Sequence, residues 1–421
     1  MNYVIVGAGP AGVIAAETLR RMDAGASIQL IGDEPEPPYS RMAIPYCLMD
    51  RVAEEGTYLR KSDRHFDGLN IEVINDRVLS VSAAAGSVAL GSGTTISYDR
   101  LLVATGSTPI SPPIEGMDLP GVHPCWTLAD YRNIAARADK GAKVVLMGAG
   151  FIGCIILEAL AARGVELTVV ELENRMVPRM MNEASGGLIK RWCEQRGVRV
   201  LTSTRVEGIT SGNPLAVSLS NGETLIANLV ISATGVAPNT QFLEGSSVDI
   251  DQGILVNERL ESSVANLFAA GDVAQGRDFS TGDYTIQAIQ PTAVDHGRVA
   301  ASNMTSGHEQ LHRGSLNMNV LDTMGLVSTS FGAWEGLSGG ESAELNAPNR
   351  FQYLNLQFHD DVLVGANTLG HTDHIGVMRG LIQTGLHLGV WKDRLLDNPL
   401  CLMEAYVAAT QGVGLTTKAL D

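Results

Sequence analysis

A glycine-spaced loop near the start of the chain has the residue types that hold a pyrophosphate. Gly7, Gly9 and Gly12 follow a short apolar run and precede an alanine-rich helical pattern. The first glycine permits a tight strand-to-helix turn, the second lets a phosphate approach the backbone, and the third lets the helix pack on the strand. Pro10 and Ala11 begin that helix, where free N–H groups and a partial positive charge favour phosphate.

Acidic residues follow the next predicted strand, Ser27–Ile31, where the chain reads Asp33 and Glu34. Carboxylates at this position can accept hydrogen bonds from ribose hydroxyls. One motif of this kind alone is a weak signal, because glycine turns are common. Together, the loop and the acids predict a dinucleotide site.

The same arrangement occurs a second time. Gly148, Gly150 and Gly153 again separate an apolar strand from a helix, which begins with Phe151 and Ile152. Because each copy is followed by another strand and an acid, the pair predicts two dinucleotide sites in one chain.

The acid of the second copy is Glu171, which follows the strand Leu167–Val170. A carboxylate here suits the free 2′-hydroxyl of NAD and repels the 2′-phosphate of NADP. We therefore expect NAD, as NADH and its oxidised form, at the second site.

Two apolar strands end in the tripeptide Ala-Thr-Gly. The first reaches Ala104, Thr105 and Gly106, and the second reaches Ala233–Gly235. Their repetition matches the repetition of the glycine loops. We expect the ends of these strands, Gly235 included, to lie beside the two dinucleotide sites.

A later strand delivers Gly271 and Asp272 to a turn. A carboxylate there can bind a polyol chain, such as the ribityl group of a flavin. Farther on, a helix is predicted to begin near Gln290, Pro291 and Thr292. Proline in a first helical turn leaves the remaining N–H groups free to face a ligand, so this helix can stabilise negative charge on a flavin ring.

The composition of the chain argues against several other classes of protein. The chain has 421 residues, enough for two or three domains, and 45% of them are hydrophobic. A formal net charge of −16 argues against nucleic acid or an anionic membrane surface as the main partner. No run reaches the roughly 18 apolar residues of a membrane helix, and no signal peptide is visible. The five cysteines form no Cys-x-x-Cys pair, so we expect a reduced, cytoplasmic chain with no metal centre.

Taken together, these motifs resemble the flavoprotein reductases with two dinucleotide domains, the pyridine nucleotide–disulfide oxidoreductase superfamily. The segment Pro37–Cys47 is similar to the branch that contains ferredoxin reductases, nitrite reductase flavin modules and NADH oxidases. The resemblance implies FAD at the first loop and NAD at the second, with hydride passing between them. It also assigns Arg41, through its Tyr-x-Arg pattern, and Val78 to the FAD site.

The same resemblance implies an α/β fold with two Rossmann-like dinucleotide-binding domains, the NAD domain being inserted in the FAD domain. A small α+β C-terminal domain, often a subunit interface, is expected after them. The implied ranges are 1–112 and 238–305 for the FAD domain, 113–237 for the NAD domain and 306–421 for the C-terminal domain. In the last of these, 311–332 and 350–370 alternate like strands, 359–361 predicts a turn and 376–396 predicts a helix.

The chain departs from the family in the segment Pro37–Cys47 and just after the second glycine loop. Thiol-using relatives have a cysteine where this chain has Met42, and Cys47 lies just past that place. Ferredoxin reductases have a lysine and a glutamate where this chain has Tyr46 and Ile155, so the expected charge pair near the flavin is absent. No side chain is assigned a catalytic role.

These departures favour a flavin module whose electron partner is another protein, an iron–sulfur protein in a larger complex. The first alternative is a stand-alone NADH oxidase or disulfide reductase. The second is a nucleotide sensor that kept the folds and lost the chemistry. The sequence does not identify the physiological electron donor or acceptor.

Overall fold

The computed structural model describes residues 1–411. Positions 412–421, the end of the predicted C-terminal domain, lie outside the described residues. None of the described helices has the length and apolar character needed to cross a membrane.

The first core is a five-stranded sheet in which every pair is parallel. Its central strands are buried on both faces, which is why they read as continuous apolar runs. In spatial order the strands are Leu267–Ala269, Arg100–Val103, Asn2–Val6, Ser27–Gly32 and Glu72–Asn75. This sheet therefore joins the N-terminal segment to residues far along the chain.

Two helices cover one region of this sheet, Pro10–Met22 and Gln290–Met304. They approach closely because Gly297 faces the first helix: a Cβ atom there would lie 2.4 Å from the carbonyl oxygen of Ala11. The glycine loop and the helix predicted near Pro291 are thus neighbours in space.

The second core repeats the first. It is also a five-stranded parallel sheet, and it packs with three helices, Leu128–Ala135, Phe151–Ala162 and Glu183–Glu194. Its strands, in spatial order, are Arg199–Leu201, Glu166–Val170, Lys143–Met147, Leu229–Ser232 and Val122–Pro124. Both cores are Rossmann-like, as predicted.

Small antiparallel sheets complete the two halves. One contains Val78–Ser82, Ser87–Leu90 and Thr95–Ser97, and its counterpart contains Val206–Thr210, Leu215–Leu219 and Thr224–Ala227. A third sheet is mixed: Ile254–Leu255 pairs parallel with Ala274–Arg277, which pairs antiparallel with Tyr284–Thr285. Short helical turns are Arg41–Ala43, Ile44–Leu48, Glu54–Thr57, His65–Gly68, Gln241–Leu243, Gly271–Val273 and Pro348–Arg350.

The chain passes between the two cores through a two-stranded ribbon. Ser107–Pro109 pairs antiparallel with Val236–Pro238, and each strand follows one Ala-Thr-Gly tripeptide. The outgoing and returning segments are therefore adjacent, which is compatible with insertion of one domain in the other. The boundaries near residues 112, 237 and 305 stay a prediction.

Up to residue 411, the C-terminal part is a five-stranded antiparallel sheet with three helices. The predicted turn at 359–361 joins two of its strands, but the long helix predicted over 376–396 is wrong. It is interrupted at Gly385 and Gly389, whose φ angles are +57° and +54°. The strands in spatial order are Met318–Thr323, Leu326–Gly332, Val362–Leu369, Gln352–His359 and Glu341–Ala347, and the helices are Ile375–Thr384, Val390–Asp397 and Leu402–Thr410.

Candidate functional site

The first glycine loop has the construction that its spacing predicts. Gly7 has a φ of +112°, and a Cβ atom there would lie 2.1 Å from the carbonyl oxygen of Ala104. A Cβ at Gly12 would lie 1.9 Å from the carbonyl oxygen of Gly7, whereas a Cβ at Gly9 would meet nothing within 4 Å. Thus two glycines are needed by the protein's own backbone, and the central one leaves open space for a ligand.

The second loop is built in the same way. Gly148 has a φ of +95°, and its Cβ would lie 2.5 Å from the carbonyl oxygen of Ala233, while a Cβ at Gly153 would lie 2.2 Å from the carbonyl oxygen of Gly148. A Cβ at Gly150 would again meet nothing within 4 Å. Both Ala-Thr-Gly strands therefore serve the same purpose, since each presses a carbonyl group against the first glycine of a loop.

Both loops lead into helices whose N-termini are uncapped. Gly9 and Gly150 are the N-cap residues, neither helix has a side-chain cap, and neither has an acid in its first turn. Their free N–H groups and positive dipole ends are available to an anion. This is the chemistry that a pyrophosphate requires.

One large cavity of about 810 Å³ links the two halves. Its volume is within the range of cofactor sites. The predicted residues that line it are Gly7, Gly9, Pro10, Ala11, Asp33, Glu34, Arg41, Val78, Ala104, Thr105, Gly106, Phe151, Ile152, Gly271, Asp272 and Gln290. The predicted residues outside its lining are Gly12, Gly148, Gly150, Gly153, Glu171, Gly235, Pro291 and Thr292.

Asp272 lines the same cavity as the first glycine loop. Its Oδ2 accepts a hydrogen bond of 3.0 Å from Ser107 Oγ. Burial raises the pKa of Asp272, and the hydrogen bond from Ser107 partly offsets that effect. The carboxylate is held by a side chain while it faces open space, as a polyol-binding group requires.

Arg41 and Glu34 are both in the cavity wall, but they bind each other. Arg41 Nη2 lies 2.5 Å from Glu34 Oε1, and Arg41 Nη1 donates to the carbonyl oxygen of Trp126 at 3.0 Å. The guanidinium group also lies over the rings of Tyr39 and Trp126. The hydroxyl of Tyr39 donates to Glu34 as well. The expected contacts of Glu34 with ribose and of Arg41 with phosphate stay predictions.

The helix predicted near Pro291 begins at Gln290, with Ile289 as its N-cap and proline in the first turn. It has no side-chain cap and no acid in its first turn. Gln290 Oε1 accepts a hydrogen bond of 2.6 Å from Ser40 Oγ, which ties the helix start to the segment before Arg41. A third uncapped helix N-terminus therefore faces the cavity.

Glu171, the acid after the second strand of the second core, hydrogen-bonds to backbone N–H groups. Its side chain is 6% exposed, and Oε2 accepts a hydrogen bond of 2.6 Å from the backbone N–H of Ala149. Oε1 accepts a second one, of 2.8 Å, from the N–H of Glu173. The carboxylate thus stabilises the second glycine loop through the N–H of Ala149. The contact of Glu171 with a ribose stays a prediction.

Several residues of the site were missed in the sequence. Ser107 holds Asp272, and the ring nitrogen of Trp126 donates to the carbonyl oxygen of Ser107 at 3.0 Å. Asn239 ties the ribbon together: its side chain donates to the carbonyl oxygen of Thr105 at 2.9 Å and accepts from Thr108 Oγ1 at 2.7 Å. Ser107 directly follows the first Ala-Thr-Gly tripeptide and Asn239 stands four residues after the second, so that repeat was the available signal.

The thiols are poorly placed for redox chemistry. Cys47 is 1% exposed, burial raises its pKa, and it does not line the cavity. Among the described residues that line the cavity, Cys125 is the only cysteine, and burial raises its pKa to about 12. Met42 and Ile155 do line the cavity, but Tyr46 does not and is 48% exposed. Within residues 1–411, no three His, Cys, Asp or Glu side chains cluster as metal ligands.

The fold and this site define a class of proteins. Two Rossmann-like cores, each with a glycine loop and an uncapped helix, share one cavity that also contains a polyol-binding carboxylate, which is the arrangement of a flavoprotein with two dinucleotide sites. The sequence profile described as "Pyridine nucleotide-disulphide oxidoreductase" matches residues 1–297, and the chain belongs to this family.

Its relatives are redox proteins. The chain is 30% identical over 416 residues to the "NADH-dependent phenylglyoxylate dehydrogenase subunit epsilon" of Aromatoleum evansii, covering 97% of this chain and 98% of the relative. It is 30% identical over 313 residues to an "NADH oxidase" of Methanocaldococcus jannaschii, covering 72% and 70%. The structure of a NAD-dependent persulfide reductase from A. fulgidus superposes with a TM-score of 0.88, at 27% identity, covering 98% of this chain and 84% of the other.

The cofactors and the class of activity follow from the family. The chain is an oxidoreductase that uses FAD and NAD(H). The cavity fits this assignment, because the open space at Gly9, the uncapped helices and the partly buried Asp272 supply the groups that a pyrophosphate and a polyol chain need.

Proposed function

We propose that the chain is the flavin subunit of a larger redox complex and moves electrons between NAD(H) and an iron–sulfur protein. One observation carries the proposal: a single cavity joins the first glycine loop to the helix of the second, and no reactive thiol lies in its described lining. Cys125 stays protonated because burial raises its pKa to about 12. Electrons therefore have a route between nicotinamide and flavin but no reactive thiol in the described cavity lining to carry them onward, and we infer that a second protein receives or supplies them.

The similarity to a complex subunit supports this proposal. The relative from Aromatoleum evansii is named as a subunit of an NADH-dependent dehydrogenase, and the two chains match over nearly their full lengths. A flavin module with no reactive thiol in its described cavity lining has the properties expected of such a subunit. We extend the subunit role, and with it assembly with partner chains, to this protein.

The residues divide between the two cofactors. The first loop with Pro10 and Ala11 binds the FAD pyrophosphate, and the second loop with Phe151 and Ile152 binds that of NAD. Asp272 binds the ribityl chain, and the helix at Gln290, Pro291 and Thr292 faces the flavin ring. Bound FAD supplies the hydride chemistry, whereas the protein positions the reactants. The remaining assignments are Asp33, Glu34, Arg41, Val78, Ala104, Thr105, Gly106 and Gly271 for FAD, and Glu171 and Gly235 for NAD.

The chain's compartment and domain limits belong to the same proposal. All five cysteines lie in the described part of the chain and are unpaired, which suits a reducing compartment such as the cytoplasm. The antiparallel ribbon at Ser107–Pro109 and Val236–Pro238 supports an NAD domain over 113–237, inserted between FAD segments 1–112 and 238–305.

A second candidate is a stand-alone NADH oxidase, which the similarity to the protein of Methanocaldococcus jannaschii favours. Reduction of a disulfide is disfavoured by Met42 in the cavity and by the protonated Cys125. A nucleotide sensor without catalysis is the third reading.

Acceptor assays on the isolated protein separate these functions. Under anaerobic conditions, NADH should bleach the flavin absorbance at about 450 nm. Turnover should then be rapid with an artificial electron acceptor and slow with O₂ or a coenzyme A disulfide. Rapid turnover with O₂ would identify an oxidase. Rapid reduction of the disulfide would contradict the conclusion that the thiols are unreactive. If NADH fails to bleach the flavin, the sensor is correct.

A further inference from the structure

A buried histidine lies behind the turn that carries Asp272. His296 is in the middle of the helix Gln290–Met304, is 4% exposed and does not line the cavity. Its Nδ1 accepts a hydrogen bond of 3.4 Å from the backbone N–H of Gly271, the residue before Asp272. The imidazole therefore reaches the backbone of the turn from the side away from the ligand space.

The other ring nitrogen is also occupied. His296 Nε2 lies 3.1 Å from Ser315 Oγ, and that oxygen lies 3.3 Å from His312 Nε2. Because a backbone N–H can only donate, Nδ1 of His296 must be the unprotonated nitrogen, so Nε2 carries the proton and donates to Ser315. The ring thus has one tautomer and one orientation.

The histidine is neutral as well as oriented. Burial lowers the pKa of His296 to about 3, and the neighbouring ring of His312 contributes in the same direction. A neutral acceptor can satisfy the N–H of Gly271, whereas an imidazolium ion cannot.

The turn is held at two points. Gly271 has a φ of +76°, and its backbone is held by His296, while the carboxylate of Asp272 is held by Ser107 Oγ at 3.0 Å. The turn packs beside both helices, since a Cβ on Gly271 would lie 3.4 Å, an ordinary van der Waals distance, from the Cβ atoms of Ala11 and Ala293. His296 is therefore placed to set where the carboxylate points.

We propose that His296 is a positioning residue of the FAD site, which raises FAD affinity by orienting the Gly271–Asp272 turn without touching the cofactor. This inference deepens the proposed function and rests on the assignment of Asp272 to FAD. Ser315 extends the contact to the segment that leads into the C-terminal sheet, so the cofactor site and the C-terminal part share one hydrogen-bonded chain.

A pair of matched variants isolates the bond to Gly271. In His296→Asn the amide oxygen lies three bonds from Cα, as Nδ1 does, so the acceptor is kept. In His296→Gln the amide nitrogen lies four bonds from Cα, as Nε2 does, so only the donor to Ser315 is kept. We expect His296→Gln to weaken FAD binding about tenfold (about 1.4 kcal/mol). His296→Asn should stay within about threefold of wild type.

FAD release from the holoprotein, followed by flavin fluorescence, measures the affinity, and the flavin midpoint potential is a second readout. The potential should change in His296→Gln and not in His296→Asn, which a merely structural role would not produce. In an Asp272→Ala background there is no carboxylate to orient, so His296→Gln should add less than about twofold to the loss of affinity.

The outcomes are distinct. Equal FAD affinity in wild type and His296→Gln, or an equal further loss in the Asp272→Ala background, overturns the positioning role. Wild-type affinity in Asp272→Ala overturns the assignment of Asp272 itself. If the wild-type protein holds no flavin, the proposed function fails before this test applies.

Discussion

The carboxylate of Glu171 accepts a hydrogen bond of 2.6 Å from the backbone N–H of Ala149, inside the second glycine loop. Ala149 lies between Gly148 and Gly150. The acid that follows the strand Glu166–Val170 therefore orders the loop that follows the neighbouring strand, Lys143–Met147. The side chain is 6% exposed, and Glu173 supplies a second backbone N–H to it. The residue that the sequence predicts as a selector of NAD is therefore also a structural support for the NAD loop.

The first prediction concerns this double role. NADH should be used more efficiently than NADPH by at least about tenfold in kcat/KM, because the carboxylate repels a 2′-phosphate. Glu171→Arg should move the preference toward NADPH and lower NADH affinity, since the loop loses two acceptors. Glu166→Arg, at the opposite end of the same strand, makes an equal change of charge and serves as control. Equal or better use of NADPH by the wild type would refute the assignment.

The second prediction separates the two dinucleotide sites. A Cβ atom at Gly9 or Gly150 would meet nothing within 4 Å beyond the adjacent residues, so valine there should leave the fold intact and obstruct only the ligand. Gly9→Val should abolish FAD binding. Gly150→Val should keep the flavin spectrum but raise the KM for NADH by about tenfold or more. Loss of flavin in Gly150→Val, with an unchanged melting temperature, would contradict the separation.

The third prediction concerns charge near the flavin. Met42 lines the cavity, whereas Tyr46, on the following helix, is exposed and does not. An ammonium group at position 42 favours negative charge in the cavity, so Met42→Lys should raise the flavin midpoint potential. A gain of about 1.4 kcal/mol corresponds to about 30 mV for a two-electron couple. Tyr46→Lys is the matched control and should leave the potential unchanged.

That control also revises an expectation from the sequence. Ferredoxin reductases have a lysine and a glutamate where this chain has Tyr46 and Ile155. Met42 and Ile155 line the cavity and Tyr46 does not, so position 42 is the better place for a lysine beside the flavin. A larger shift from Tyr46→Lys than from Met42→Lys would reinstate the earlier expectation.

The fourth prediction concerns acid stability. The pKa of His296 is about 3 in the folded protein, against about 6.5 when unfolded, so below pH 6.5 the unfolded chain binds a proton that the folded chain does not. Its contribution is complete above pH 6.5 and is lost as the pH falls toward 3. At pH 5 the loss should be about 2 kcal/mol in the free energy of unfolding. Urea unfolding at pH 7 and pH 5 measures it.

His296→Gln removes this titration, so its free energy of unfolding should fall less between pH 7 and pH 5. The pKa of His312 is also lowered by burial and contributes with the same sign, so part of the slope should remain. His308→Gln, at an exposed position, controls for the loss of an imidazole. An unchanged slope in His296→Gln would show that His296 does not stay neutral in the fold.

The fifth prediction concerns the thiols. Cys47 and Cys125 are buried with raised pKa values, so both should react slowly with a thiol reagent at pH 7 in the folded protein. Met42→Cys places a thiol in the cavity wall at a residue that is 45% exposed, and it should be labelled much faster. Cys47→Ser should leave turnover with an artificial acceptor unchanged. Fast labelling of Cys47 in the wild type would restore the disulfide reductase reading.

Local sequence predicted the parts of the site that depend on backbone geometry. The two loops, the acids after the second strands, the Ala-Thr-Gly strands and the proline-started helix all required a particular residue at a particular spacing, since a Cβ at Gly7 or Gly148 would overlap a carbonyl group. Four of the described C-terminal strands lie within the stretches that alternation predicted, 311–332 and 350–370, whereas Glu341–Ala347 was not predicted. The prediction of one helix over 376–396 is wrong because Gly385 and Gly389 adopt positive φ angles. The apolar periodicity of the sequence does not indicate such angles.

The sequence therefore specifies two nucleotide-binding units and their family, because the positions of the glycines are dictated by steric contact within short segments. Which side chains meet is visible only in the folded structure. Ser107 with Asp272, Gly271 with His296, and Glu34 with Arg41 are pairs whose partners have other plausible roles in the sequence. Long-range partners are chosen by burial, since a polar group enclosed in the core must be satisfied by whichever donor or acceptor the packing brings near it.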